Sequence, residues 1–133
     1  MKHDYAGNAR ALVGTRFRPQ GRDPKIGLDC VGLLLATFGI PTVGVRRNYR
    51  LRGNHRKEIE CALSAHFRRV APAGRRSGDM MLMEVANDQL HFGICTAAGF
   101  VHADARLGRV VETPGEPQWR VLGVYRKLLR SAR

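Results

Sequence analysis

The sequence predicts a single α+β domain, with helices packed on an antiparallel sheet that follows them in the chain. Two patterns carry this expectation. Residues 29–41 hold a complete helix signature, and residues 79–126 break into short apolar runs separated by turn signals. Size is the third observation. A chain of 133 residues suits one domain, 1–133, and can bury roughly two-thirds of its unfolded surface.

Taken in order, residues 3–13 read as a helix with Ala and Leu on one side. Residues 14–27, GTRFRPQGRDPKIG, are rich in Gly, Pro and Arg and have neither period, which predicts a loop. Asp29 then stands as an acidic N-cap before CVGLLLATF, and Gly39 and Pro41 supply the stop. This helix is apolar nearly all round, so burial is expected. Residues 42–54 read as a basic loop. A further helix is expected over about residues 56–69, with Ile59, Ala62, Leu63, His66, Phe67 and Val70 on one face. Strands follow over residues 79–85, 90–96, 100–103, 109–113 and 119–126, with Asn87–Asp88 marking the first turn between them.

Composition narrows the function classes. Apolar residues make up 44% and charged residues 26%, as in a globular protein. The longest apolar run, residues 31–38, is too short for a membrane span. Three cysteines, Cys30, Cys61 and Cys95, do not make a disulfide framework. The first ten residues, MKHDYAGNAR, lack the apolar stretch of a secretory signal, so synthesis in the cytoplasm without one is expected. The net charge is +12. Residues 46–76 carry ten basic side chains against Glu58 and Glu60, a field that attracts polyanions or an acidic protein face. This stretch has no interleaved aromatics and no nucleic-acid motif, so nucleic acid is not a required partner.

Chemistry concentrates at Cys30, the first residue of the helix behind Asp29. Backbone N–H groups and the helix dipole favour negative charge there, which predicts a lowered thiol pKa and a nucleophile. A small buried hydrophobe is the other reading of such a cysteine. A base is sought next. On the strand QLHFGICT, Phe92 and Ile94 share the core face, leaving His91 with Gly93 and Cys95 on the other. His91 there is either the base for Cys30 or an exposed sheet-face histidine. His102, on the next strand, is placed to orient it, with Asp104 as the fallback. Cys30, His91, Cys95 and His102 are also zinc-binding types, but no CxxC or HExxH spacing occurs, so neither metal nor cofactor is expected.

These pieces together resemble the NlpC/P60 family of papain-like cysteine peptidases, in its small members encoded with the tail genes of phages and gene transfer agents. The resemblance runs from ALVGTRFRPQGRDPKIGLDCVGLLL, with its Asp29-Cys30-x-Gly32-Leu33 core, through Gly78-Asp79 and His91-Phe92-Gly93-Ile94. It ends in FVHADARLGRVVE and the Trp-Arg…Tyr-Arg element at residues 119–126. It implies a papain-like NlpC/P60 core with Cys30 as nucleophile, His91 as base and His102 as the orienting residue. It implies amide hydrolysis in peptidoglycan stem peptides, by an enzyme docked on a tail hub or baseplate protein and carried by the particle to the periplasm or cell wall. Many members carry a tyrosine before the cysteine to assist the oxyanion site. This chain has Phe17 there, so Arg18, Gln20 and Arg22, with Asp29, are the remaining polar candidates around that site. The lost hydroxyl also keeps open a structural tail component with the same fold and little or no activity.

Overall fold

A computed structural model describes residues 3–41, 56–86 and 89–129. The basic loop expected at residues 42–54, His55 and the turn expected at Asn87–Asp88 lie outside the described residues.

Helix α1, Tyr5–Ala11, starts at Asp4, whose carboxylate accepts the Gly7 N–H at 2.9 Å. The expected loop at 14–27 contains a two-residue hairpin, β1 (Arg22–Asp23) paired antiparallel with β2 (Gly27–Leu28). It was invisible to periodicity because two residues are too few to show one. Helix α2, Cys30–Phe38, is the expected buried helix. Asp29 caps its start by accepting the Gly32 N–H, and Gly39 closes it in the left-handed region at φ 67°.

Helix α3, Arg56–Leu63, is shorter than the sequence pattern implied. Residues Phe67–Val70 are instead an edge strand, β3, paired with β8 (Arg120–Lys127). The spacing Leu63, Phe67, Val70 satisfies a helical face, but Phe67 followed by exposed Arg68 and Arg69 also suits an edge strand. Ladder bonds to β8 and an edge-on contact of Phe67 with Phe38, 5.0 Å between rings, favour the strand. His66 therefore sits in the turn before β3, outside any helical face.

Strands β4 (Met80–Ala86), β5 (Gln89–Cys95), β6 (Gly99–Asp104) and β7 (Arg109–Pro114) complete a six-stranded antiparallel sheet in the order β3-β8-β4-β5-β6-β7. One face carries Leu82, Phe92, Ile94, Val101 and Val110 and packs in a single core with α2. The other carries Met81, Met83, Cys95, Phe100 and Val124 beneath Trp119 and Val121. Met80 to Met83 are buried without alternation because apolar groups cover both faces of β4. No helix among the described residues is long and apolar enough to cross a membrane.

Two ties fix the sheet and α2. Arg126 on β8 donates to both carboxylate oxygens of buried Asp79, at 2.9 and 2.8 Å, just before β4. Gly32 lies so near the loop that a Cβ there would overlap the Gly21 carbonyl oxygen. The Asp-Cys-x-Gly spacing thus lets the 14–28 segment lie directly on the first turn of α2.

Candidate active site

The site forms where the sheet opens. Strands β5 and β6 pair only at Ile94–Val101 and Cys95–Phe100, and beyond these pairs their ladder stops. The Cys95 N–H donates to the Asp79 carbonyl, toward β4. Backbone groups alternate sides along a strand, so the Phe92 N–H points toward β6, where no partner strand remains. That N–H lies near enough to the Cys30 thiol to favour its ionised form. The thiol at the start of α2 therefore seats against the strand that carries His91.

His91 alternates with Phe92 along β5 and lines the same cleft as Cys30. Its Nε2 lies 3.1 Å from Nδ1 of His102, whose own Nε2 lies 3.0 Å from the Thr113 hydroxyl. Trp119 stands edge-on to both rings, with centroids at 5.7 Å from His91 and 5.5 Å from His102, and Phe100 stacks on His102 at 4.9 Å. His102 is 2% exposed, so this ring is held by packing as well as by its hydrogen bonds. The geometry constrains the protons. If Nδ1 of His91 is to accept a proton, its Nε2 must carry one and donate to Nδ1 of His102. His102 must then carry its own proton on Nε2 and donate to Thr113.

Electrostatics reverse one expectation. The Cys30 thiol is not lowered. Burial pushes it up to about 12, and the neighbouring Asp29 carboxylate adds to the rise. The Phe92 N–H, the Arg22 guanidinium and Cys30's own N–H act the other way and are outweighed. Burial likewise pushes His91 down to about 4, with His102 contributing and Asp104 opposing. His102 is lowered by burial. At neutral pH the site holds a thiol and two neutral imidazoles. A helix start favours an anion only when water or polar groups also solvate it, and here α2 begins inside the core.

A cleft of about 590 Å³ contains Cys30, His91 and His102 together, with Asp29, Phe17 and Gln20 along one wall. Arg18 and Arg22 do not line it. Arg18 faces a separate depression, and Arg22 donates to Asp29 at 2.8 Å and to the Gly21 carbonyl. Asp29 is thereby a structural hub: it caps α2, pairs with Arg22 and accepts the Gln20 N–H. Gln20 takes a left-handed φ of 59° there. Asp104 accepts the Arg106 and Leu107 N–H groups and shapes the turn at the cleft rim. Thr113, Gln89 and Arg106 were not singled out from the sequence, and Trp119 was named only within the Trp-Arg…Tyr-Arg element.

No group of three or more metal-ligating side chains occurs among the described residues. The cleft lining thus holds a thiol and an imidazole, the residue types of a nucleophile and its base.

No protein-family model and no curated protein matches the chain. Solved structures do. The peptidoglycan hydrolase RipB from Mycobacterium tuberculosis matches with a TM-score of 0.60 at 20% identity, over 92% of this chain and 62% of that one. The chain thus spans under two thirds of that RipB structure. The P60 domain of an antigen from Mycobacterium avium subspecies paratuberculosis matches with a TM-score of 0.58 at 19% identity, over 92% and 91% of the two chains. The likeness is one of fold: this chain has the α+β architecture of those P60-type domains.

Proposed function

We propose that this chain is a cell-wall cysteine peptidase that hydrolyses amide bonds in peptidoglycan stem peptides. The observation that carries the reading is the lining of one open cleft by Cys30, His91 and His102, with His91 bonded to His102 and His102 to Thr113 behind it. Two fold relatives, one of them named a peptidoglycan hydrolase, support the substrate class.

In this mechanism the resting pair is neutral, so no preformed thiolate is required. Nδ1 of His91 takes the thiol proton as sulfur attacks the scissile carbonyl. Negative charge develops on the carbonyl oxygen near the Cys30 N–H, which as the first of α2 has no intrahelical acceptor. Collapse expels the amine, which takes the proton from His91 and leaves a thioester on Cys30. Water then attacks the thioester as it gives a proton to His91. Collapse breaks the C–S bond, releases the acid and returns that proton from His91 to the Cys30 sulfur. His102 stabilises the imidazolium through Nδ1 and fixes the tautomer. Phe17 contributes only an apolar wall, so the second oxyanion donor would come from Gln20 or the substrate pocket.

The particle-borne role follows from the sequence resemblance: a tail component docked on a hub or baseplate protein, opening the wall as the particle enters the cell. The second reading, a tail component with little or no activity, draws on Phe17 and on the strongly raised Cys30 thiol. Purified peptidoglycan incubated with wild type and Cys30→Ala, with soluble fragments identified by mass spectrometry, separates them. New stem-peptide termini released by wild type alone support the peptidase. Identical, empty digests from both support the structural role.

A further inference from the structure

On the far side of the 14–18 segment lies a second depression, about 500 Å³, lined by Arg16, Arg18, Lys25 and Arg109 with Ile26 at its edge. Its charge is imposed by strand geometry. Arg16 and Arg109 are direct partners in an antiparallel bridge. Side chains directly opposite in such a pair project to one face about 5 Å apart, and like charges so placed destabilise it. Arg18 follows two residues later and shares that face. All four cations are exposed, no carboxylate lines the depression, and among the described residues none of the four has an ion-pair partner. The nearest acid in sequence, Asp23, spends an oxygen on the Lys25 N–H. Phe17, between the two arginines, lines the Cys30 cleft instead, so one segment walls both.

We propose that this depression is a binding site for a group of adjacent phosphates. Two facing guanidinium forks match phosphate oxygens in bidentate fashion, and four cations in one concavity suit a clustered multiple charge better than single carboxylates. The site stands on its own and does not depend on the peptidase reading.

The test is titration calorimetry with inorganic tripolyphosphate, inorganic phosphate and citrate at constant ionic strength. Wild type is compared with Arg16→Gln/Arg109→Gln and with an equally discharged control, Arg68→Gln/Arg76→Gln, at exposed positions elsewhere. Tripolyphosphate binds wild type tighter than phosphate or citrate. The Arg16/Arg109 variant loses at least about tenfold in affinity while the control changes less than about twofold. Without ligand, the Arg16/Arg109 variant melts no lower than wild type because a repulsion has been removed, and tripolyphosphate no longer raises its Tm. Equal weakening in both variants, citrate as tight as tripolyphosphate, or no binding by wild type overturns the site.

Discussion

At the residue scale the account rests on side chains whose charges are suppressed by burial. Cys30→Ala and His91→Ala each lower peptidoglycan cleavage by at least about 10³-fold, with far-UV circular dichroism unchanged. His102→Ala costs less, about 10²-fold, because the ring orients and stabilises His91 without touching substrate. Cys61→Ser and Cys95→Ser keep most activity: Cys61 is exposed on α3, and Cys95 packs with Met81, Phe100 and Val124 outside the lining of the Cys30 cleft, its thiol pushed up to about 11 by burial. Comparable, small losses for Cys30, His91 and His102 would show that the roles are misassigned. The pH dependence has a definite sign. A histidine in the unfolded chain titrates near 6.5, and His91 in the fold near 4. Between those values the unfolded chain binds the proton more readily. Stability is full above 6.5 and falls as pH drops toward 4, by up to about 1.4 kcal/mol per unit from this group. Cys30 does the reverse on the alkaline side, where the unfolded thiol ionises near 9.0 and the folded one near 12. Thermal melts across pH therefore show losses on both flanks, and Cys30→Ala flattens the alkaline one. An alkaline flank identical in wild type and variant would contradict the buried thiol.

Elements position these residues, and two glycine- and charge-based ties matter most. Gly32→Ala sets a methyl group against the Gly21 carbonyl, which cannot yield without shifting the 14–28 segment off α2. A destabilisation of about 1–3 kcal/mol with a displaced Asp29–Arg22 cap is expected, read as a lower denaturation midpoint together with lost cleavage. Arg126→Leu strands the buried Asp79 carboxylate, leaving it the Arg76 N–H alone, and costs about 3 kcal/mol. An unchanged midpoint for Arg126→Leu would show that this pair does not brace β4 and β8. The Asp-Cys-x-Gly run, the Gly78-Asp79 step and the Tyr-Arg end were legible as separate stretches of sequence. Their meaning lies in meetings between distant stretches, with Gly32 under Gly21 and Asp79 against Arg126.

At the scale of the whole molecule, helix-then-sheet order was readable because α2 and the β4–β8 strands each carry strong local signals. Three things were not. β3 escaped because residues 63–70 satisfy a helical spacing as well as an edge strand, and its partner β8 begins fifty residues later in the chain. The raised Cys30 thiol escaped because position at a helix start is local, whereas burial depends on the sheet and loop that close over it. The cleft walls at Gln89 and Arg106 escaped because a cavity is made by the places where elements part. Here that place is the end of the β5–β6 ladder at Ile94 and Val101. Four of the 23 basic side chains gather at the Arg16–Arg109 depression, which shares no lining residue with the Cys30 cleft.

The most direct measurement is an acid-quenched reaction of the protein with peptidoglycan stem peptides, followed by peptide mapping in the mass spectrometer. The account predicts a thioester carrying the acyl half of the cleaved peptide on the fragment that contains Cys30, absent from those with Cys61 and Cys95 and absent in His91→Ala. Cleavage at the wild-type rate by Cys30→Ser, with no acylated fragment, would contradict it.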